Sequence, residues 1–188
     1  MNTTEMYEQV ERIANFVRTS VRKSGLASGL QPVQMEALHY LDRCNRYSDT
    51  PVAVAEFLGL TKGTVSQTLG VLVNNGFVDR HPDTHDRRVV HLTLTPEGKQ
   101  VLDGTIPPPV LKNAMDFVSD DERLQIEQSL QKLLSKLQYA NGMKSFGVCK
   151  SCIHHQLNDN GDHQCGLTRE TLSQHDREKI CREHQISA

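Results

Sequence analysis

Thiols are the most reactive groups in this chain, and they are unevenly placed. Of five cysteines, four follow one another late in the sequence as Cys149, Cys152, Cys165 and Cys181, with His154, His155, His163, His175 and His184 among them. A Cys-x-x-Cys pair sets two thiolates on one turn, where both can reach a single ion. Cys165 and Cys181 can supply the other corners of a tetrahedron, with His184 as a rival fourth ligand. In a reducing compartment such clustering favours metal over disulfide. Zinc (Zn2+) is the first expectation, and an iron–sulfur cluster on the same thiolates or a redox pair of Cys149 and Cys152 are the alternatives. Closed zinc would make the tail a brace or an interaction surface, whereas a cluster could itself carry a signal. Cys44 stands apart and reads as a small apolar filler.

A second set of residues has the chemistry to read a duplex. Thr61, Lys62, Thr64, Ser66 and Gln67 fall on one side of a helical stretch whose other side carries Val65, Leu69, Leu72 and Val73. Gln can pair with adenine through two bonds, Lys reaches guanine or phosphate, and hydroxyls donate or accept. Further on, Arg87 and Arg88 lie beside Asp83 and Asp86. An Asp next to two Arg side chains can hold one guanidinium while the other extends into a narrow minor groove. The bland reading is a solvated helix face and a surface ion-pair cluster worth under about 1 kcal/mol. The order of the surrounding elements favours the DNA reading.

Those elements are legible. Pro51 opens a short helix to Leu58, Gly59-Leu60 breaks it, Thr61 caps a second helix from Lys62 to Asn75, and Gly76 stops it. That is a helix-turn-helix over about 51–76. A strand Phe77–Arg80, a polar tip His81–Arg88 and a strand Val89–Leu94 make a hairpin wing over about 77–94. Upstream, Met6, Val10, Ile13, Val17 and Val21 mark the apolar face of a helix from Glu5 to Lys23, and Pro32 opens another with Val33, Ala37, Leu38 and Leu41. Downstream, Thr95-Pro96-Glu97-Gly98 turns into a helix through Leu102, and Ile106-Pro107-Pro108-Pro109 is a stiff interruption. Ser119-Asp120-Asp121-Glu122 then caps a long helix with Ile126, Leu130, Leu133, Leu134 and Leu137 on one side, ended by Asn141-Gly142. The expected fold is mainly α (α+β): a winged helix-turn-helix with long terminal helices over residues 1–140, and a Cys-rich metal-binding segment over 141–188.

The two long helices each carry an apolar stripe that a small core cannot fully cover. The expectation is that they interlock with those of a second chain, because readers of this type dock two recognition helices on half-sites roughly 34 Å apart. Composition is consistent with this. The chain has 188 residues, 37% of them apolar, and a formal net charge of -2. Nucleic-acid binding must therefore come from local Lys and Arg in a paired assembly rather than from a global basic field. No apolar run is long enough to cross a bilayer and no leader is evident, so the expected location is cytoplasmic. Paired carboxylates, a nucleophile elbow and a phosphate-binding glycine loop are missing from the sequence, and four thiolates leave a zinc ion no open position, so an enzyme is not expected.

Leu60-Thr61-Lys62-Gly63-Thr64-Val65-Ser66, Leu72, Gly76-Phe77-Val78 and the run from Asp83 through Asp86-Arg87-Arg88 to Leu94-Thr95-Pro96-Glu97-Gly98 resemble the MarR family of bacterial regulators. The likeness covers roughly Glu5 to Ala140; its most specific part is the Asp-Arg-Arg wing with its Leu-Thr-Pro-Glu-Gly exit. The resemblance implies a homodimer built from terminal helices, binding to a palindromic operator in double-stranded DNA, and a switch by a small-molecule effector or thiol chemistry. It does not reach the cysteine tail. The resulting expectation is a dimeric, sequence-specific transcription regulator, a repressor, with a structural or sensory metal site. The alternative is a winged-helix protein-interaction module with a metal-stabilised docking tail.

Overall fold

A computed structural model describes residues 2–25, 28–84, 86–140, 142 and 144–186. His85 at the wing tip and Asn141, expected to end the long helix, lie outside the described residues. Helix α1 spans Thr3–Gly25, α2 Pro32–Arg43, α3 Pro51–Leu58 and α4 Lys62–Asn74; strands β1 (Val78–Pro82) and β2 (Val90–Leu94) follow. Then come α5 (Pro96–Asp103), α6 (Pro109–Met115) and α7 (Asp120–Ala140). The tail adds a 3-10 turn at Cys149–Ser151, strands β3 (His155–Leu157) and β4 (His163–Cys165), and α8 (Gln174–Glu178).

The local signals act as expected in most places. The Thr50 hydroxyl caps α3, the Thr61 hydroxyl accepts from the Thr64 N–H at 3.2 Å to cap α4, and Gly59 between them takes the left-handed conformation at φ 65. Ser119 and Glu122 exchange capping hydrogen bonds at the start of α7. Two boundaries move. β1 continues through His81 and Pro82, which the sequence placed in the wing tip, because an antiparallel partner from Val90 onward pairs with them. The proline run opens a helix rather than only interrupting one: Pro109 occupies the first position of α6, where a missing N–H is harmless.

The core lies where α2, α3, α4 and the base of the wing converge, around Met35, Leu38, Tyr40, Val54, Val65, Leu69, Leu72, Val78 and Leu92. Tyr40 donates its hydroxyl to the Ser48 carbonyl at 2.7 Å, so the buried ring carries a satisfied polar end. Gly98 lets α5 close on the wing: a Cβ there would collide with the Phe77 carbonyl. The apolar stripe of α1 divides. Val17 and Val21 pack on the core, while Met6, Val10 and Ile13 are exposed together with Tyr7 and Phe16. No residue of α7 is buried.

The tail returns to the winged helix. Phe146 inserts its ring against Tyr40 and Phe57, with centroids 6.0 and 5.2 Å away. Ile180 is buried in the main core, its N–H donates to the Arg43 carbonyl at 2.9 Å, and its carbonyl accepts from Asn45 at 2.9 Å. Arg182 forks onto the Glu56 carboxylate of α3 at 2.7 and 2.6 Å. Arg46, in the α2–α3 loop, donates to Asp176 at 3.0 Å and to the Thr171 carbonyl at 2.9 Å. The segment beyond α7 therefore shares its packing with the winged helix.

Candidate nucleic-acid interface and thiol cluster

α4 presents two distinct sides. Val65, Thr68, Leu69 and Leu72 are buried, which leaves Lys62, Thr64, Ser66 and Gln67 exposed at its N-terminal half. Thr61 and Thr64 share a hydroxyl–hydroxyl contact of 3.0 Å, so their side chains already have local partners. Lys62, Ser66 and Gln67 are the more available of the five. A shallow groove between the two motifs is lined by Val52, Lys62, Ser66, Arg80 and Val90. Arg80 brings a further cation beside the helix that the sequence reading did not single out, because it sits in a strand rather than in the arginine-rich tip.

At the wing, Asp86 binds Arg88 in a fork, Nε to Oδ1 at 2.9 Å and Nη2 to Oδ2 at 2.8 Å. The guanidinium lies beside Asp86 yet its side chain is 90% exposed, and this pairing holds the Asp86 carboxyl below the usual carboxylate range. Arg87 is exposed and has no ion pair among the described residues. Asp83 holds the turn itself by accepting from the Asp86 N–H at 2.7 Å.

His91 ties the wing to the rest of the reader. Its Nδ1 lies 2.5 Å from Asp49 in the α2–α3 loop and its Nε2 lies 3.2 Å from Asp83. Partial burial alone would lower its pKa, but hydrogen bonds and charge from Asp49 and then Asp83 raise it on balance. Asp49 also accepts the Leu92 N–H through its carbonyl at 2.8 Å. Sequence reasoning missed this contact because the two partners lie on either side of the helix-turn-helix. The histidine was visible in the motif, but its role depends on a residue 42 positions away.

The four tail cysteines are brought to one place by different devices. Cys149 and Cys152 flank the 3-10 turn, with the Cys152 N–H donating to the Cys149 carbonyl at 3.0 Å. The β3–β4 hairpin pairs Cys165 with His155. Cys181 donates its N–H to the Gly147 carbonyl at 2.9 Å. Cys149 and Cys181 share a buried cluster with Leu172, against which Cys165 and Tyr47 pack. Burial, followed by the neighbouring Cys181, Cys165 and Cys152, pushes the Cys149 thiol up to about 12. Among the described residues no three His, Cys, Asp or Glu side chains stand in metal-coordinating positions as placed. His184, the rival ligand, faces the Ser145 hydroxyl from Nδ1 at 2.6 Å and the Ser151 hydroxyl from Nε2 at 3.0 Å. Cys44 is buried in the main core, where burial raises its thiol to about 12.

Helix, turn, helix and hairpin in this order, with an exposed polar helix face and an arginine-bearing wing tip, define a winged helix-turn-helix. Residues 28–89 match the MarR family model. The transcriptional repressor MprA of Escherichia coli (strain K12) is 30% identical over 113 residues, which are 59% of this chain and 64% of that protein. The HTH-type transcriptional repressor YetL of Bacillus subtilis (strain 168) is 30% identical over 111 residues, 58% of this chain and 66% of that protein. The chain thus spans just under two thirds of the length of these relatives. The crystal structure of a MarR family transcriptional regulator from Silicibacter pomeroyi superposes with a TM-score of 0.58 at 26% identity, over 68% of this chain and 86% of that one. The likeness to the MarR family is thus carried by the winged-helix part of the chain.

Proposed function

We propose that this protein is a sequence-specific, DNA-binding transcription regulator that represses as a homodimer on a palindromic operator in double-stranded DNA. Its action is binding rather than catalysis, and it works in the cytoplasm; no helix among the described residues is long and apolar enough to cross a membrane. The observation that carries the reading is the exposed polar side of α4 set beside the Asp86-anchored wing. Lys62, Ser66 and Gln67, with Thr61 and Thr64 nearer the cap, contact bases and phosphates in the major groove. The wing reaches the adjacent minor groove. Asp86 holds the Arg88 guanidinium in place, so little side-chain freedom is lost when its exposed edge enters the groove. Arg87 then contacts the flanking phosphates, and Asp83 keeps the turn in shape.

Dimerisation follows from the two long helices. Ile13 and Phe16 of α1 and Leu130, Leu134 and Leu137 of α7 are half or more exposed in the single chain, apolar surface that a second copy would cover. An apolar cleft lined by Val17, Val21, Met35, Ile106 and Leu111 lies between α1, α2 and the proline turn. It suits a small apolar effector.

The test is binding of the full chain to its own promoter region, followed by fluorescence anisotropy at about 0.15 M salt. The expected result is two chains per site and a Kd in the range of roughly 10⁻⁸ M or tighter, at least about 10³-fold below a scrambled duplex. Equal affinity for both duplexes, or binding by a monomer, would overturn the proposal.

A further inference from the structure

We propose that Cys149, Cys152, Cys165 and Cys181 hold one zinc ion, and that this closed site is the clasp that fixes the tail against α2 and α3. The proposal stands independently of DNA binding.

Three observations carry it. First, Cys149 and Cys181, 32 positions apart in sequence, share one small buried cluster on which Cys165 packs, and Cys152 closes the turn that Cys149 opens, although little else in the tail is apolar enough to gather them. Leu172, Phe146 and Ile180 are the large apolar side chains it buries. A segment so poor in core needs another source of folding free energy, and thiolate–metal bonds supply it. Second, the choice of fourth ligand is made by the surroundings. His184 has both ring nitrogens matched to serine hydroxyls, and its ring lies over Gly147, where a Cβ would collide with it. Cys152 instead accepts the Gln185 N–H on its sulfur at 3.4 Å, the kind of outer-shell donor that steadies a thiolate ligand. His155 and His163 are likewise occupied: they stack at 4.9 Å between centroids, and Arg177 donates to His163 at 2.5 Å.

Third, the ligand set suits a single ion. A tetrahedral Zn2+ ion takes four such thiolates at bonds of about 2.3 Å. No three of these side chains stand in coordinating positions as placed, so binding draws the sulfurs onto the ion and exchanges the thiol protons for the metal. Four thiolates leave the ion no open position, so the site is structural. Its consequence reaches the winged helix, because Ile180 and Arg182 flank Cys181 on either side, one in the main core and one on Glu56.

The experiment uses the full chain purified under reducing conditions. Elemental analysis is expected to find about one zinc per chain. After removal of the metal, Co2+ alone is added as the probe; the expected spectrum has intense thiolate charge-transfer and tetrahedral ligand-field absorption, abolished by stoichiometric zinc. Cys165→Ser lowers Co2+ affinity by at least the roughly 10–100-fold that outer-shell partners alone can carry, and Cys44→Ser leaves it unchanged. The wild-type cobalt titration stands even where a variant fails to fold. Protein that retains no metal and gives no cobalt–thiolate absorption overturns the proposal. So does a brown preparation with iron and acid-labile sulfide, or a Cys149–Cys152 disulfide in protein isolated without air.

Discussion

Ile180→Ala separates a tail that is part of the winged helix from one that merely hangs on it. The side chain is 4% exposed and belongs to the same apolar cluster as Met35, Leu38 and Val54. Its backbone bonds to Arg43 and Asn45 are untouched by the substitution, so the change removes side-chain packing alone. Truncating a buried Ile to Ala costs about 2–5 kcal/mol through lost transfer free energy and the remaining cavity. For a chain of this size each kcal/mol moves Tm by about 2–4 °C, so the expected drop is roughly 4–20 °C. Ile180→Val, which removes one methylene, should cost about 0.5–1.5 kcal/mol. The assay is far-UV circular dichroism during heating at one fixed protein concentration, because a dimer's Tm depends on concentration. The expected record is a single transition that shifts as a whole. A main transition unmoved by Ile180→Ala, with a separate early change confined to the tail, would refute the claim that the two share a core.

Arg88→Ala should weaken operator binding by about 1–3 kcal/mol per wing without a change in Tm, and Asp86→Asn by less; anisotropy titration reads both, and unchanged affinity for Arg88→Ala would remove the arginine from the minor groove. Leu130→Lys or Phe16→Glu should yield a folded monomer by sedimentation, since each places a charge on an apolar face that is more than half exposed in the single chain; a persistent dimer for both would place the interface elsewhere. For His91 the folded-state pKa is raised, so its tie between the wing and Asp49 is fully present below the ordinary histidine value of about 6.5 and is lost as pH rises through the raised value. Operator affinity should fall over that window for the wild type, and His91→Gln should flatten this pH dependence; identical profiles would detach His91 from wing positioning.

Local rules along the chain were enough for the reader itself. Thr61 as a cap, Pro51 and Pro96 at helix starts, Gly59 at the turn and the strand–tip–strand run marked α3, α4, the wing and α5, because contacts within a few positions along the chain decide those features. Val65, Leu69 and Leu72 likewise marked which side of α4 faces inward, and so which residues remain exposed. Spacing alone also singled out the four tail cysteines. What the chain order could not supply was anything that depends on distant partners. The union of His91 with Asp49 and Asp83, the grip of Arg182 on Glu56, and the serine pair that occupies His184 each join side chains from separate elements, and no periodicity encodes them. The place of the tail is the largest such decision. Its few apolar side chains look insufficient in isolation, but Phe146 and Ile180 add theirs to a core that α2, α3 and α4 had already begun. Burial against an existing surface, rather than any propensity of the tail, decides where those cysteines meet.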